Sequence, residues 1–174
     1  AAVAATGSTP TRPVASRTTL PSASANRVGS RPTPTFLPGR SAVPLPDSMS
    51  FTDAAAVPLV FLTAWRMLIT KAQMQPGEEV LIHSASAGVG TACIQIAKRC
   101  GARVIATGSS DEKNERARAL GADAVINHRS EDVVTRVREL TKKRGVDVVV
   151  DYIGLDTWPT SIQCLRRGGR LVTC

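Results

Sequence analysis

A cluster of small residues follows an apolar run near the middle of the chain, at the point where a helical pattern begins. The apolar run is Val80–Ile82, and the turn and helix start that follow it contain Ser86, Ala87, Gly88, Val89 and Gly90. The first N–H groups of a helix have no partner inside it, and the helix dipole favours an anion beside them. Small residues also let the backbone approach a pyrophosphate, so the pattern predicts a phosphate-binding turn. A crowded turn without any ligand uses the same residues, and this purely structural interpretation is the alternative.

The second predicted strand ends in small polar residues rather than in a carboxylate. In dinucleotide-binding βαβ units an Asp or Glu at that place hydrogen-bonds the ribose 2′-hydroxyl of NAD. Here Gly108 and Ser109 form the turn, and the first acid, Asp111, opens the next helix. Ser109 could hydrogen-bond a 2′-phosphate, and Lys113 could neutralise it. We therefore predict that NADP(H) is preferred over NAD(H), the alternative being that Lys113 is a solvated surface charge.

Short apolar runs alternate with helical patterns from Glu79 onward. The predicted strands are Val80–His83, Arg103–Thr107, Ala124–Ile126, Asp147–Asp151 and Arg170–Thr173. The predicted helices between them are Gly88–Arg99, Asp111–Leu120, Ser130–Lys142 and Thr157–Leu165. Strands separated by helices of about ten residues form right-handed βαβ units with a parallel sheet. We expect an α/β, doubly wound Rossmann fold with spatial strand order 3-2-1-4-5.

The first part of the chain has a different composition. Residues 1–35 consist mainly of Ala, Ser, Thr, Pro, Gly and Arg, which cannot bury enough apolar surface to offset the entropy of ordering. We therefore expect a disordered, low-complexity tail that continues through an extended, proline-containing connector to residue 46. Ser50 then caps a short helix that should end at Pro58, and a second helix should run over 60–72.

Charge and hydropathy limit the classes of partner. The 174-residue chain has a formal net charge of +8, and residues 1–46 contain five arginines and no acid. These arginines are scattered rather than clustered, and Phe36 is the only aromatic residue among them, so we expect no specific nucleic-acid binding. No apolar run appears long enough to span a membrane, and we expect no membrane association. The four cysteines form no CxxC motif, which favours buried thiols in a reducing, cytoplasmic setting.

Seven short motifs occur in a fixed order along residues 43–172: VPLPD (43–47), FLTAW (61–65), PGEEVLIH (76–83), AGVG (87–90), ALGAD (119–123), GVDVVVD (145–151) and GGRLV (168–172). Together they resemble the cofactor-binding half of the medium-chain dehydrogenase/reductase superfamily, nearest its quinone-oxidoreductase-like and zinc-type alcohol-dehydrogenase-like members. The resemblance implies an NAD(P)H-dependent oxidoreductase that transfers hydride between its cofactor and a quinone, enone, carbonyl or alcohol. It also implies a homo-oligomer for the complete protein.

The sequence departs from the family pattern at both ends. Family members carry an N-terminal catalytic lobe, and residues 1–46 stand in its place as a remnant. The family's sixth strand is missing, so we expect 47–174 to be an NAD(P)-binding Rossmann domain truncated at its C-terminus. A fragment that binds the cofactor without turnover is therefore the alternative function, and the oligomeric state of such a fragment stays open. Ala87 also replaces a glycine of the family turn, and its methyl group would crowd the pyrophosphate.

The resemblance places three further residues in the cofactor site. Thr63, in the Thr-Ala pair of the second motif, should lie beside the nicotinamide. His128 follows the third strand, where NADPH-using relatives place a residue that flanks the adenine, and Ile153 follows the fourth strand. Zinc-dependent relatives have a catalytic Cys after the proline where this chain has Leu59, so we expect no zinc. No catalytic residue can be assigned.

Overall fold

The structure is a computed structural model that describes residues 44–174. The disordered tail predicted for the N-terminal region, apart from the last few residues of its connector, lies outside the described residues. The helices in chain order are α1 (Phe51–Trp65), α2 (Gly88–Arg99), α3 (Asp111–Ala119), α4 (Val133–Leu140) and α5 (Trp158–Cys164). The strands are β1 (Glu79–Ile82), β2 (Arg103–Gly108), β3 (Ala124–Asn127), β4 (Val146–Val150) and β5 (Leu165–Val172).

The five strands form one parallel sheet in the order β3-β2-β1-β4-β5, which confirms the predicted fold and strand order. β1 lies at the centre, where Val80 pairs with Val104 of β2 on one side and with Val148 of β4 on the other. Each of the strands β1 to β4 is followed by a helix that leads to the next strand, as in βαβ units. The carboxyl ends of β1, β2 and β4 therefore meet at one edge of the sheet, where such folds bind ligands.

The core consists of two apolar layers, one on each face of the sheet. The layer beside α1 and α2 includes Ala64, Leu68, Val80, Ile82, Ile94, Val104 and Val148. The layer beside α4 and α5 includes Leu81, Ile105, Ile126, Val137, Val149 and Cys164. Successive residues of a strand point to opposite faces, so the continuous apolar runs of β1 and β4 supply both layers. Each fully buried large aliphatic side chain stabilises the fold by about 1.5–3 kcal/mol.

Helix α1 runs through Pro58, and the predicted break into two helices at that residue was wrong. Ser50 begins the helix as expected, because its hydroxyl oxygen accepts a hydrogen bond from the Asp53 N–H at 3.1 Å. Pro58 removes one interior hydrogen bond, but packing of the buried Ala64 side chain anchors the helix beyond it. A π-helical segment, Arg66–Lys71, continues the helix and ends with the Ala72 N–H donating to the Met67 carbonyl.

This continuous helix changes one expectation about hydropathy. Phe51–Lys71 spans 21 residues and is long and apolar enough, by length and composition, to cross a membrane. The sequence interpretation missed this length because it ended the first helix at Pro58. Core helices of soluble proteins meet the same criterion, but only 17% of this apolar window is buried. The helix therefore presents an exposed apolar row that includes Leu59, Leu62 and Trp65.

The last strand begins earlier than predicted. β5 starts at Leu165, directly after α5, whereas the apolar pattern predicted a strand only from Arg170. The pairing of β5 with β4 shifts register between Val146 and Val148, because a bulge accommodates the glycines of the GGRLV motif. The first half of β5 is partly exposed and carries arginines, so it has no apolar periodicity to reveal it.

An ionic cluster lies at the amino edge of the sheet, opposite the edge where ligands bind. Asp147 of β4 accepts hydrogen bonds from Arg144, from Arg166 and from the Glu79 N–H, the last at 2.8 Å. Burial alone would raise the pKa of Asp147, but these hydrogen bonds outweigh it and hold the pKa far below its usual value. The cluster joins β1, β4 and β5 through side chains of the described residues.

Candidate cofactor-binding site

The turn between β1 and α2 is held on both sides by neighbouring strands. Ser84 adopts a left-handed conformation with φ of 50°, and its carbonyl accepts hydrogen bonds from the Ala87 N–H at 3.0 Å and from the Tyr152 hydroxyl at 2.7 Å. On the other side, the Ser84 N–H donates to the Thr107 hydroxyl at 3.2 Å, and the Ala85 N–H donates to the Thr107 carbonyl. Thr107 of β2 and Tyr152, two residues after β4, therefore fix the shape of the turn.

The N-terminus of α2 is open toward the same edge of the sheet. Ala87 precedes the helix in an extended conformation and provides no side-chain cap. The start of α2 therefore has no side-chain cap from Ala87, as in phosphate-binding turns. Gly90 is required for this arrangement, because a β-carbon there would lie 2.5 Å from the Tyr152 hydroxyl and 2.6 Å from the Ser84 carbonyl.

The predicted phosphate-turn residues lie together here. Ser86 and Gly88 are exposed, while Ala87 and Val89 are partly buried. A β-carbon on Gly88 would lie 2.9 Å from the Val60 side chain, so α1 passes directly over the start of α2. Thr63 lies about one turn further along α1 and is partly buried. The structure does not bring Thr63 into the cavity described below, and its place beside a nicotinamide stays a prediction.

The end of β2 carries the residues predicted to recognise a 2′-phosphate. The Lys113 Nζ atom donates to the Ser109 hydroxyl at 3.2 Å, so the two side chains face one point in space. Ser110 positions Lys113 by capping α3, since its hydroxyl oxygen accepts from the Lys113 N–H at 3.4 Å. Lys113 is exposed and has no carboxylate partner among the described residues. Its ammonium group is therefore available to an anion.

A cavity of about 440 Å³ opens beside the ends of β1, β2 and β4. Its lining includes His83, Thr107, His128, Ile153 and Thr157, so two residues predicted to contact the cofactor share one space. The His128 N–H donates to the Gly108 carbonyl at 3.1 Å, which joins the cavity to the Ser109–Lys113 pair. Three acids, Glu131, Asp132 and Asp156, also line this cavity. A planar group that enters the cavity would contact the ring of His128 and the apolar side chain of Ile153.

A buried hydrogen-bonded chain forms the floor of this cavity. The Ser161 hydroxyl of α5 donates to Asp151 Oδ2 at 2.6 Å and lies 3.0 Å from His83 Nε2. On the other side of the ring, the Thr107 hydroxyl lies 3.4 Å from His83 Nδ1. Thr157 also donates to Asp151, at 2.8 Å. The chain therefore joins β1, β2 and β4 with α5 at the edge where the cavity opens.

The donors in this chain define the tautomer of His83. Ser161 has one hydroxyl proton and gives it to Asp151, so His83 must donate from Nε2 and accept at Nδ1. Burial lowers the pKa of His83, an effect that Asp151 opposes and His128 reinforces. Burial would raise the pKa of Asp151, but hydrogen bonds from Ser161 and Thr157 lower it overall. A neutral imidazole beside an ionised carboxylate follows from both effects.

The sequence interpretation missed several of these residues. Thr107, Thr157 and Ser161 were not singled out, and Asp151 appeared only as the end of a strand. The signal available for Asp151 was its position, because a carboxylate directly after the apolar run Val148–Val150 must find donors where the strand meets the ligand edge. Nothing in the local pattern identifies Ser161, whose role depends on how α5 packs.

The described residues do not contain a group of three His, Cys, Asp or Glu side chains arranged to hold a metal ion. Leu59 follows Pro58 on α1 and is 77% exposed. Burial raises the pKa of both the Cys93 and the Cys164 thiols to about 12, so neither thiol is poised to form the thiolate that a metal requires.

Comparison with known proteins identifies relatives of this arrangement. A family model described as zinc-binding dehydrogenase matches residues 88–174, which is half of the chain. The quinone oxidoreductase of Salmonella typhimurium is 44% identical over 129 residues, which cover 74% of this chain and 39% of that protein.

Two solved structures show the same fold at similar identity. Quinone oxidoreductase from Pseudomonas syringae pv. Tomato DC3000 has a TM-score of 0.71 at 45% identity, covering 74% of this chain and 40% of that one. Escherichia coli quinone oxidoreductase complexed with NADPH has a TM-score of 0.70 at 42% identity, covering 73% and 39%. The chain thus spans about two fifths of the length of these relatives.

Proposed function

The chain belongs to the zinc-binding dehydrogenase family, in the medium-chain dehydrogenase/reductase superfamily, and we propose that it binds NADP(H) as the cofactor-binding half of an oxidoreductase. The proposed reaction is hydride transfer between this cofactor and a quinone, with enones, carbonyls and alcohols as the wider class of substrate. The quinone oxidoreductases that match the chain at 42–45% identity support this proposal.

The observation that carries the cofactor proposal is the pair formed by Ser109 and Lys113 at the end of β2. Their 3.2 Å hydrogen bond aims a hydroxyl and an ammonium group at the place where a dinucleotide's ribose crosses the sheet. The related E. coli enzyme was crystallised with NADPH, which supports the same choice here. The glycine at position 90 and the uncapped start of α2 fit a pyrophosphate beside the same strand edge.

Each part of the site has a separate role in this proposal. The cofactor, when bound, supplies the chemistry of hydride transfer. The first N–H groups of α2 bind the pyrophosphate, Lys113 and Ser109 bind the 2′-phosphate, and His128 and Ile153 flank the adenine. Thr63 lies beside the nicotinamide. The buried chain through His83 keeps the turn and the cavity floor rigid, which reduces the ordering cost of binding.

A second candidate function is cofactor binding without turnover. The chain spans about two fifths of the related enzymes, so residues of the remaining three fifths have no counterpart in 44–174. We propose that residues 47–174 form the cofactor-binding domain and that turnover requires a catalytic lobe. The exposed apolar row of α1, which includes Leu59, Leu62 and Trp65, is a surface that such a lobe could cover.

The remaining features of the proposal concern setting and assembly. The cysteines of the described region are free, and two are buried, which supports a reducing, cytoplasmic location. We propose that no zinc is bound, because Leu59 follows Pro58 where zinc-dependent relatives have a catalytic cysteine. We propose a small-molecule substrate and no membrane or specific nucleic-acid partner. Homo-oligomerisation is proposed for the complete protein, whereas the oligomeric state of this chain stays open. β5 has no strand partner on its outer side among the described residues, so that edge could support self-association of this chain.

Two measurements on the full chain separate these candidates. Calorimetric titration with NADPH should show one saturable site, and absence of binding would overturn the cofactor proposal. Absorbance of NADPH in the presence of 1,4-benzoquinone then reports turnover. Oxidation that depends on the protein supports the oxidoreductase for this chain, whereas binding without oxidation supports the binding module.

A further inference from the structure

Asn114 occupies the space in which a side chain on Gly108 would lie. A β-carbon placed on Gly108 would be 2.1 Å from Asn114 Oδ1 and 3.3 Å from Asn114 Cγ. The first distance is far shorter than the van der Waals contact between carbon and oxygen, so the Asn114 carboxamide would have to turn away before a side chain could stand at position 108. The Asn114 carboxamide, on α3, therefore occupies the volume that a side chain at position 108 would need.

Position 108 is the place where a cofactor-selecting carboxylate would stand. Gly108 is the last residue of β2 and lies about 20 residues after the phosphate-binding turn, where NAD-binding folds carry an Asp or Glu that hydrogen-bonds the ribose. Its carbonyl accepts from the His128 N–H, and Ser109 follows directly. Gly108 thus lies between the proposed adenine and 2′-phosphate contacts.

Asn114 is buried with an unsatisfied acceptor. Its side chain is 5% exposed, and Oδ1 has no hydrogen-bond partner among the described residues. Its backbone N–H donates to Ser110 in the first turn of α3, which fixes the side chain beside Gly108. An apolar side chain would fill this volume without leaving a buried oxygen unpaired, so packing alone does not account for an amide here.

We propose that Asn114 determines the cofactor specificity of this site: its carboxamide fills the volume that a carboxylate at position 108 would need. A neutral group thereby replaces a negative charge beside the ribose, and a 2′-phosphate bound by Lys113 and Ser109 meets no repulsion. Oδ1 itself is enclosed by protein atoms, so the carboxamide acts through its volume and its lack of charge. This inference rests on the proposed binding of NADP(H).

The volume exchange is tested by a cycle of Gly108→Asp, Asn114→Ala and the double variant, made in the full chain. Gly108→Asp alone should lower the melting temperature measured without cofactor, because the new side chain meets Asn114. The double variant should regain most of that loss. It should also bind NADH more tightly than NADPH by about tenfold, which corresponds to about 1.4 kcal/mol.

Two outcomes of the cycle overturn the inference. One is a Gly108→Asp protein with the wild-type melting temperature, because the volume at 108 would then be free. The other is a double variant in which Asn114→Ala compensates nothing. Its change in melting temperature would then equal the sum of the two single changes, or its cofactor preference would match that of the wild type. If the wild-type chain binds no NADPH, the proposed function is wrong. If the chain binds NADPH but the effects of the two substitutions are additive, only the proposed role of Asn114 is wrong.

Asn114→Asp tests the charge without changing the shape. The substitution keeps the volume and places a carboxylate beside Gly108, so the dissociation constant for NADPH should rise about tenfold while that for NADH changes by less than about twofold. Nicotinamide fluorescence measures both constants. Equal changes for both cofactors, or no change for either, would show that the charge at position 114 does not affect recognition of the 2′-phosphate. Glu115→Gln, an exposed position on the same helix, is the matched control for a change of one charge.

Discussion

The Ser161 hydroxyl lies 2.6 Å from Asp151 Oδ2, and this contact ties α5 to the end of β4 inside the core. Both residues are fully buried, so each depends on the other for its hydrogen bond. The same hydroxyl oxygen accepts from His83, which extends the contact to β1. The edge of the sheet that forms the proposed cofactor site is thus crosslinked by polar groups beneath its surface.

Ser161→Ala should destabilise the protein by about 2–3 kcal/mol, because it leaves the Asp151 carboxylate and the His83 N–H with unmade hydrogen bonds in the core. Urea unfolding monitored by circular dichroism measures the change. Thr160→Ala, a partly exposed neighbour on the same helix, should cost less than about 0.5 kcal/mol. Equal losses of unfolding free energy in the two variants would contradict the proposed importance of the hydrogen-bonded chain through His83.

The ionic cluster at the opposite edge predicts a dependence on pH. The folded-state pKa of Asp147 is lowered, so its ionised form stabilises the fold above the unfolded value of about 3.9, and this contribution is lost as pH falls toward the folded value. Asp147→Asn should cost about 2–3 kcal/mol at neutral pH, because Arg144 and Arg166 lose their partner. The difference from wild type should shrink near pH 3.

Urea unfolding of the wild type and of Asp147→Asn, at neutral pH and near pH 3, tests whether the difference in stability shrinks on acidification. If the difference in unfolding free energy between wild type and Asp147→Asn widened on acidification, a group other than Asp147 would dominate the pH dependence. Asp156→Asn, an exposed carboxylate at the other edge, is the control and should show the wild-type pH dependence.

Tyr152→Phe probes the shape of the phosphate-binding turn. The substitution removes the 2.7 Å hydrogen bond to the Ser84 carbonyl and keeps the ring that packs against the core. We expect a loss of about 1 kcal/mol in unfolding free energy and weaker NADPH binding by a factor of about three. Stability lost without any change in NADPH affinity would show that the turn does not depend on this bond.

Local patterns in the sequence were sufficient to predict the sheet and one polar pair. Strand spacing and the turn residues predicted the parallel order, and Ser109, just before the N-cap of α3, hydrogen-bonds Lys113 in the first turn of that helix. These features depend on contacts between residues close in sequence or on the handedness of βαβ units, which a sequence pattern records directly.

The features that were missed depend on tertiary packing. Ser161 meets His83 across 78 positions, and this contact depends on the rotation of α5 about its axis. The side chain of Asn114 fills the space above Gly108 only because α3 lies close to the end of β2. Helix α1 continues through Pro58 because packing beyond the proline outweighs a local preference. Residue patterns carry no direct signal for any of the three.

Lys113→Ala should weaken NADPH binding by about tenfold and leave NADH binding almost unchanged, because only NADPH presents a 2′-phosphate to the ammonium group. Arg116→Ala is the control, since this exposed side chain on the same helix pairs with Glu112. It should change the affinity for either cofactor by less than about twofold. A similar loss of NADPH affinity in both variants would indicate a general effect of positive charge rather than a specific contact.

The proposed recognition of a 2′-phosphate at the end of β2 is tested most directly by titrating the wild-type chain with NADPH and with NADH. Nicotinamide fluorescence at low and high salt gives the two dissociation constants under matched conditions. We expect NADPH to bind at least about tenfold more tightly at low salt, with the difference narrowing as salt screens Lys113. Equal affinities at low salt, or tighter binding of NADH, would contradict the claim.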